Sequence, residues 1–144
     1  PESMAYEAMV IYREARNRVT YYADVMSAIE KLASCFTLIV ITNGNAEIEK
    51  IEVGQFFKKA FYSAEIGVAK PDPIIFKSAI DYLGVDPCEI MHIGDDPTND
   101  VMGAQNVGMD TIWLNRENEV WPEAIKLPTY SVNNLTEVLD LLIY

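Results

Sequence analysis

Apolar residues are arranged along the chain in two different ways, at helical spacing and in short continuous runs. Residues 3–18 and 24–34 carry them at the spacing of one face of a helix. Residues 37–41 are instead almost continuously apolar and rich in β-branched side chains, which is typical of a parallel strand covered on both faces. The same patterns predict further strands at 60–63, 90–94 and 111–114, and further helices at 46–53, 73–83, 97–107 and 134–142.

Capping residues mark the ends of several predicted helices. Asp72 and Asp96 each precede a proline, which suits an N-cap followed by the first helical position. Asn45 is placed to cap the helix at 46–53, and Gly84 is placed to end the helix that begins after Asp72. Because strands alternate with helices, we predict an α/β fold in which a parallel sheet carries helices on both faces.

Composition narrows the classes of function. Half of the 144 residues are hydrophobic and the mean hydropathy is +0.04, which predicts a folded domain. The net charge of −11 would repel a phosphate backbone, so we expect no nucleic-acid partner. The longest apolar stretch is too short to span a bilayer, so we expect no membrane partner and a cytoplasmic location. Cys35 and Cys88 are expected to be reduced thiols in the core.

Polar residues follow the first predicted strand at its carboxyl end, the edge of a parallel sheet where ligands bind. They are Thr42, Asn43 and Gly44. The Thr42 hydroxyl and the backbone N–H groups after it could hold phosphate oxygens, and Gly44 would let the backbone approach closely. An ordinary turn with a hydroxyl cap is the alternative interpretation.

Charged residues form two further clusters. Lys70 lies in an extended segment, where it would neutralise a phosphoryl group and a carboxylate together or be an ordinary surface lysine. Asp95, Asp96 and Asp100 follow the predicted strand that contains His92. Oxygen ligands without His or Cys suit Mg²⁺, although helix capping is the alternative for each aspartate. His92, the only histidine, is predicted to pack in the core without a catalytic role.

These clusters, in this order, resemble the motifs of the haloacid dehalogenase superfamily of phosphohydrolases. The similarity covers residues 20–142. Within the superfamily, the motifs look most like those of the branch that includes flavin-mononucleotide phosphatases. The matching stretches are Ile41-Thr42-Asn43-Gly44 for the second motif, Ala69-Lys70-Pro71-Asp72-Pro73 for the third and Gly94-Asp95-Asp96-Pro97-Thr98-Asn99-Asp100 for the fourth.

The resemblance implies a Rossmann-like core and an Mg²⁺-dependent phosphomonoester hydrolase. Its substrate would be a small phosphorylated metabolite, with FMN or another flavin-pathway phosphate as the candidate. Thr42 and the Asn43 backbone would bind the phosphoryl oxygens, and Lys70 would balance the charge of the nucleophile and the phosphate. Asp95 would ligate Mg²⁺ beside Asp96, and Asp100 would support the metal or orient Lys70.

One family motif is missing. The family's first motif is a strand ending in Asp-x-Asp, which supplies the nucleophile and the acid/base, and the 144 residues contain no Asp-x-Asp. We therefore expect an N-terminally truncated form, in which 1–20 is a remnant of the last cap helix and its linker and 21–144 is the core. The chain alone is then expected to be inactive.

The missing strand also affects the predicted sheet. In the family it lies between the strands that correspond here to 37–41 and 90–94. Those two strands would have to pair directly, leave a gap or borrow a strand from another chain. Unpaired strand edges invite association, so we expect a homodimer through these edges or a distorted sheet.

Two other functions stay open. A metal-free 2-haloacid dehalogenase belongs to the same superfamily, but three carboxylates in the fourth motif argue against chemistry that needs no metal. A non-catalytic binding or assembly module is supported by the missing nucleophile. The presence of Thr42, Lys70, Asp95 and Asp100 argues against that module.

Overall fold

The structure, a computed structural model, describes residues 2–144 as an α/β fold with parallel strands flanked by helices, as predicted. The strands are β1 (Ile39–Thr42), β2 (Lys59–Tyr62), β3 (Met91–Gly94), β4 (Asp110–Leu114) and β5 (Tyr130–Val132). The α-helices are α1 (Glu2–Arg16), α2 (Val25–Cys35), α3 (Ser63–Ile66), α4 (Pro73–Leu83), α5 (Gly103–Gln105) and α6 (Leu135–Leu142). There are also 3₁₀ helices at Ile48–Lys50, Glu52–Phe56 and Pro87–Glu89 and a π-helix at Pro97–Met102.

The strands form two separate parallel sheets. β1 pairs with β2, and β3 is the first strand of the order β3–β4–β5. Within residues 2–144 β1 and β3 are not hydrogen-bonded to each other, so of the three arrangements expected for these strands the structure shows a gap. Each of the two strands has a free edge and is only half-buried along its length. β4, which has a neighbour on both sides, has three buried residues in its middle.

Two apolar clusters cover opposite faces and connect the sheets. One packs α2 and α6 on β4 and β5 around Leu32, Ile112 and Val138, and it includes Leu38 just before β1 and Ile93 from β3. The other packs α4 and α5 together around Ile75, Phe76 and Ala104, and it includes Ile41 from β1 and Ile90 next to β3. Because successive strand residues point to opposite faces, Ile90 and Ile93 reach different clusters. Both sheets therefore share one layered architecture.

Local capping signals set the helix ends as predicted. Asp72 accepts a hydrogen bond from the Ile74 backbone N–H at 2.8 Å and begins α4. Gly84 ends that helix in the left-handed region, at φ 66°, where glycine has no side-chain penalty. These two ends fix where α4 leaves the loop that carries Lys70.

The helix predicted at 46–53 with an Asn45 cap is wrong. The chain forms two short 3₁₀ turns there, and Asn45 contacts the Tyr12 hydroxyl at 3.5 Å instead of capping. Gly54 explains the turns, because a side chain at this position would overlap the carbonyl oxygen of Ile48. The backbone doubles back too tightly for a regular helix.

The core position predicted for the cysteines is also wrong. Cys35, at the end of α2, and Cys88, in a 3₁₀ helix, are both exposed free thiols. Phe36, next to Cys35, is also exposed, so this end of α2 lies at the surface. Nothing in the described part of the chain forms a helix long and apolar enough to cross a membrane.

Candidate functional site

Three of the predicted site residues are joined by hydrogen bonds at the carboxyl ends of β1 and β3. The Lys70 amine lies 2.5 Å from Oδ1 of Asp100. The side chain of Asn43, in the turn after β1, hydrogen-bonds to the Lys70 backbone. The structure therefore brings the turn, the lysine and one aspartate together across the gap between the sheets.

The π-helix places Asp100 beneath the end of β3. The backbone N–H groups of Asp100 and Val101 both donate to the Asp96 carbonyl, at 2.9 and 3.2 Å, so the first turn is wider than an α-helical turn. Gly94 leaves room for the Asp100 carboxylate, because a side chain at Gly94 would overlap Cβ, Cγ and Oδ2 of Asp100. A helix was predicted over 97–107, but its π winding was not.

Asp100 is a buried carboxylate with several partners. Oδ1 contacts the Lys70 amine and lies 3.3 Å from Nε2 of His92. Oδ2 accepts from the Asp96 backbone N–H at 3.1 Å. Burial alone would raise the pKa of Asp100. The hydrogen bonds from His92 and Lys70 and the positive charge of Lys70 outweigh burial and hold this pKa well below its usual range. Asp100 therefore stays ionised and fixes Lys70.

His92 is the site residue that sequence reasoning missed. Its ring packs edge-on against Phe76, with centroids 5.4 Å apart, so it does pack at the core as predicted. It also contacts Asp100, which lies eight residues further along the chain. The alternation of a strand places His92 on the face of α4, but only the π-helix brings Asp100 back to that face.

The three aspartates are not brought together as a metal cluster. Asp96 caps the π-helix as predicted, with Oδ1 accepting from the backbone N–H groups of Thr98 and Asn99 at 2.8 Å. Asp95 is exposed, and its carboxylate has no hydrogen bond or ion pair within residues 2–144. In that part of the chain no group of three or more His, Cys, Asp or Glu side chains could hold a metal ion.

The turn after β1 has the hydrogen bonding of an ordinary turn with a hydroxyl cap, which was the alternative interpretation of Thr42, Asn43 and Gly44. Oγ1 of Thr42 accepts from the Gly44 backbone N–H at 2.9 Å, which closes an ordinary hydroxyl turn. Asn43 and Gly44 are exposed at the edge of the sheet. The turn is therefore open to a ligand, and its hydroxyl is held in place.

A cavity of about 460 Å³ opens beside Asp95, at the ends of β3 and β4. Ile93 and Leu114 supply apolar wall, and Arg116 lies at the same cavity. A space of this size can hold a small metabolite.

Comparison with known proteins identifies the family. A family model of haloacid dehalogenase-like hydrolases matches residues 2–114. The chain is 31% identical over 142 residues to the 5-amino-6-(5-phospho-D-ribitylamino)uracil phosphatase of Escherichia coli, covering 96% of this chain and 59% of that protein. It is 31% identical over 144 residues to the phosphoserine phosphatase of Thermus thermophilus, covering 96% of this chain and 57% of that protein. The protein therefore belongs to the haloacid dehalogenase-like hydrolases.

The fold comparison agrees with this assignment. The crystal structure of a 2-haloacid dehalogenase from Pseudomonas syringae matches with a TM-score of 0.92 and 35% identity, covering 97% of this chain and 60% of that chain. The chain thus spans less than two thirds of the length of these relatives, between 57% and 60%.

Proposed function

We propose that this chain forms the phosphate-binding part of an Mg²⁺-dependent phosphomonoester hydrolase that acts on a small metabolite. The observation that carries the proposal is Lys70, whose amine Asp100 holds at 2.5 Å and whose backbone is hydrogen-bonded to Asn43, the residue after Thr42. A fixed cation close to a turn that carries a hydroxyl suits a phosphoryl group. The two relatives named as phosphatases support the same activity.

In this proposal the chain stabilises charge that develops on the phosphoryl oxygens. The Thr42 hydroxyl and the Asn43 backbone N–H bind the oxygens, and Lys70 neutralises them. These groups are oriented before the substrate arrives, so little reorganisation is needed during the reaction.

Asp95 is the proposed Mg²⁺ ligand. Its carboxylate is exposed, whereas Asp96 is used as a cap and Asp100 already holds Lys70. Mg²⁺ commonly takes one or two protein carboxylates together with water and substrate phosphate, so a single open carboxylate fits it. Asp100 would then support the site rather than serve as its main ligand. A bound Mg²⁺ supplies Lewis-acid stabilisation of the phosphoryl group.

The gap between β1 and β3 suits the missing first motif. We infer that a strand carrying Asp-x-Asp belongs there, because both free edges face it and the cavity beside β3 adjoins Asp95. Without that motif the 144 residues hold no aspartyl nucleophile, so the chain alone should not hydrolyse phosphate esters. The division into 1–20 and 21–144 is part of the same proposal.

A ribityl phosphate is the proposed substrate group. The Escherichia coli relative is named for a phospho-ribitylamino compound, and FMN carries the same ribityl phosphate. The likeness of the motifs to flavin-mononucleotide phosphatases points the same way. We keep the metal-free dehalogenase as a second candidate because of the 35% identity to the Pseudomonas syringae protein.

Titration with inorganic phosphate, followed by amide NMR with and without Mg²⁺, tests the site without requiring turnover. We expect shifts at Asn43, Gly44 and Lys70, and tighter binding with Mg²⁺. Asp95→Asn should remove the Mg²⁺ effect, whereas Asp96→Asn should keep it, because asparagine also caps helices well. Binding that is indifferent to Mg²⁺ in the original chain would contradict the proposal and favour the dehalogenase.

A further inference from the structure

The side chain of Asn43 pairs with the backbone of Lys70 at two points. Its Oδ1 accepts from the Lys70 N–H at 2.8 Å, and its Nδ2 donates to the Lys70 carbonyl oxygen at 3.0 Å. An amide side chain offers both a donor and an acceptor, whereas an aspartate lacks the donor. Asparagine is therefore well suited to hold this backbone on both sides.

These two bonds link the parts of the site. Asn43 directly follows Thr42, and Lys70 continues the link through its amine to Asp100. Within residues 2–144 no strand hydrogen bonds join β1 to β3. At the carboxyl edge, Asn43, Lys70 and Asp100 thus form a polar connection from one sheet to the other.

We propose that Asn43 is a positioning residue, whose side chain sets Lys70 relative to the turn after β1. Asn43 enters the family resemblance only through its backbone, whereas the structure gives its side chain a separate task. With the Lys70 backbone held, its amine stays within reach of Asp100. The value of this arrangement for hydrolysis rests on the proposed function, but the positioning itself does not.

Amide hydrogen exchange and amine acylation of Lys70 test the positioning in the full chain. Removing the acceptor with Asn43→Ala should speed exchange of the Lys70 N–H by about tenfold, the upper range for loss of one hydrogen bond. The Lys70 amine should also be acylated several times faster, mapped by mass spectrometry with the other lysines as internal references. The urea midpoint should change little, because Asn43 is exposed.

Asn45→Ala is the matched control, since Asn45 is another exposed asparagine in the same turn and contacts Tyr12 rather than Lys70. It should leave both Lys70 readouts unchanged. Asn43→Ser, whose side chain is too short to span both bonds, should behave like Asn43→Ala. Unchanged exchange and acylation in both Asn43 variants would overturn the proposal. Neither readout needs turnover, so failure of the proposed hydrolysis would be seen separately.

Discussion

Gly94→Ala should disrupt the charged centre of the site through a single methyl group. The added carbon would overlap Cβ, Cγ and Oδ2 of Asp100, which lies in the π-helix that follows β3. Asp100 would have to turn away from Lys70, from His92 and from the Asp96 N–H. The substitution should therefore break an ion pair to which residue 94 does not itself belong.

The expected cost follows from what the carboxylate would lose. Overpacking a well-filled position costs roughly 1–3 kcal/mol, and breaking a buried ion pair by removing one partner costs about 3–5 kcal/mol. Cβ of Asp100 is fixed to the backbone, so relief of the overlap needs a shift of the π-helix backbone as well as rotation of the carboxylate. Because that movement would break the pair, we expect the unfolding free energy to fall by about 3–5 kcal/mol. That is a large share of the roughly 5–15 kcal/mol that typically stabilises a domain.

Urea unfolding, followed by circular dichroism and tryptophan fluorescence, measures this loss. Gly44→Ala is the matched control, because its added carbon would come close to one atom only, the Thr42 hydroxyl oxygen at 3.1 Å, in an exposed turn. The control should change the unfolding free energy by less than about 1 kcal/mol. A similarly small effect of Gly94→Ala would refute the packing argument, since Asp100 would then have room that the structure does not show.

Two further predictions concern a helix cap and acid stability. Asp72→Ala should lower the unfolding free energy by about 1 kcal/mol, because it removes the α4 cap. Asp81→Ala, on the exposed surface of α4, should not lower it. Equal urea midpoints for the two variants would contradict the role of Asp72 as a cap. The pKa of Asp100 is lowered on folding, so its charge stabilises the fold above the ordinary carboxyl pKa of about 3.9 and this stabilisation is lost as the pH falls further. Unfolding free energies measured from pH 5 to about pH 2 should therefore fall more steeply in the original chain than in Asp100→Asn, and parallel curves would count against the pairing.

The elements that sequence reasoning predicted well are those with strong local signals. The α4 helix has a cap, a proline and a terminal glycine within its own segment, and β1 has an unbroken apolar run. The three-residue strand β5 and the four-residue helix α3 were not predicted, because so short a segment has no periodicity to read. Their form depends on the neighbours that they pack against.

The site was also predicted only in part, because only some of its contacts follow from local sequence signals. Motif positions placed Thr42, Lys70 and the aspartates at one edge of the sheet, and the structure joins Lys70 to Asp100 there. The contact of His92 with Asp100 depends on the width of the π-helix, and the bonds of Asn43 depend on the position of a distant loop. Neither is encoded in local spacing, so neither could be read from the sequence alone.

Hydrolysis of a chromogenic phosphate ester tests the central claim most directly. It should be measured with Mg²⁺ on the chain alone and on the chain extended by a strand that carries Asp-x-Asp. We predict no turnover by the chain alone, and Mg²⁺-dependent turnover by the extended chain that Asp95→Asn abolishes. Turnover by the chain alone that Asp95→Asn abolishes would contradict the account, because another carboxylate would then serve as the nucleophile.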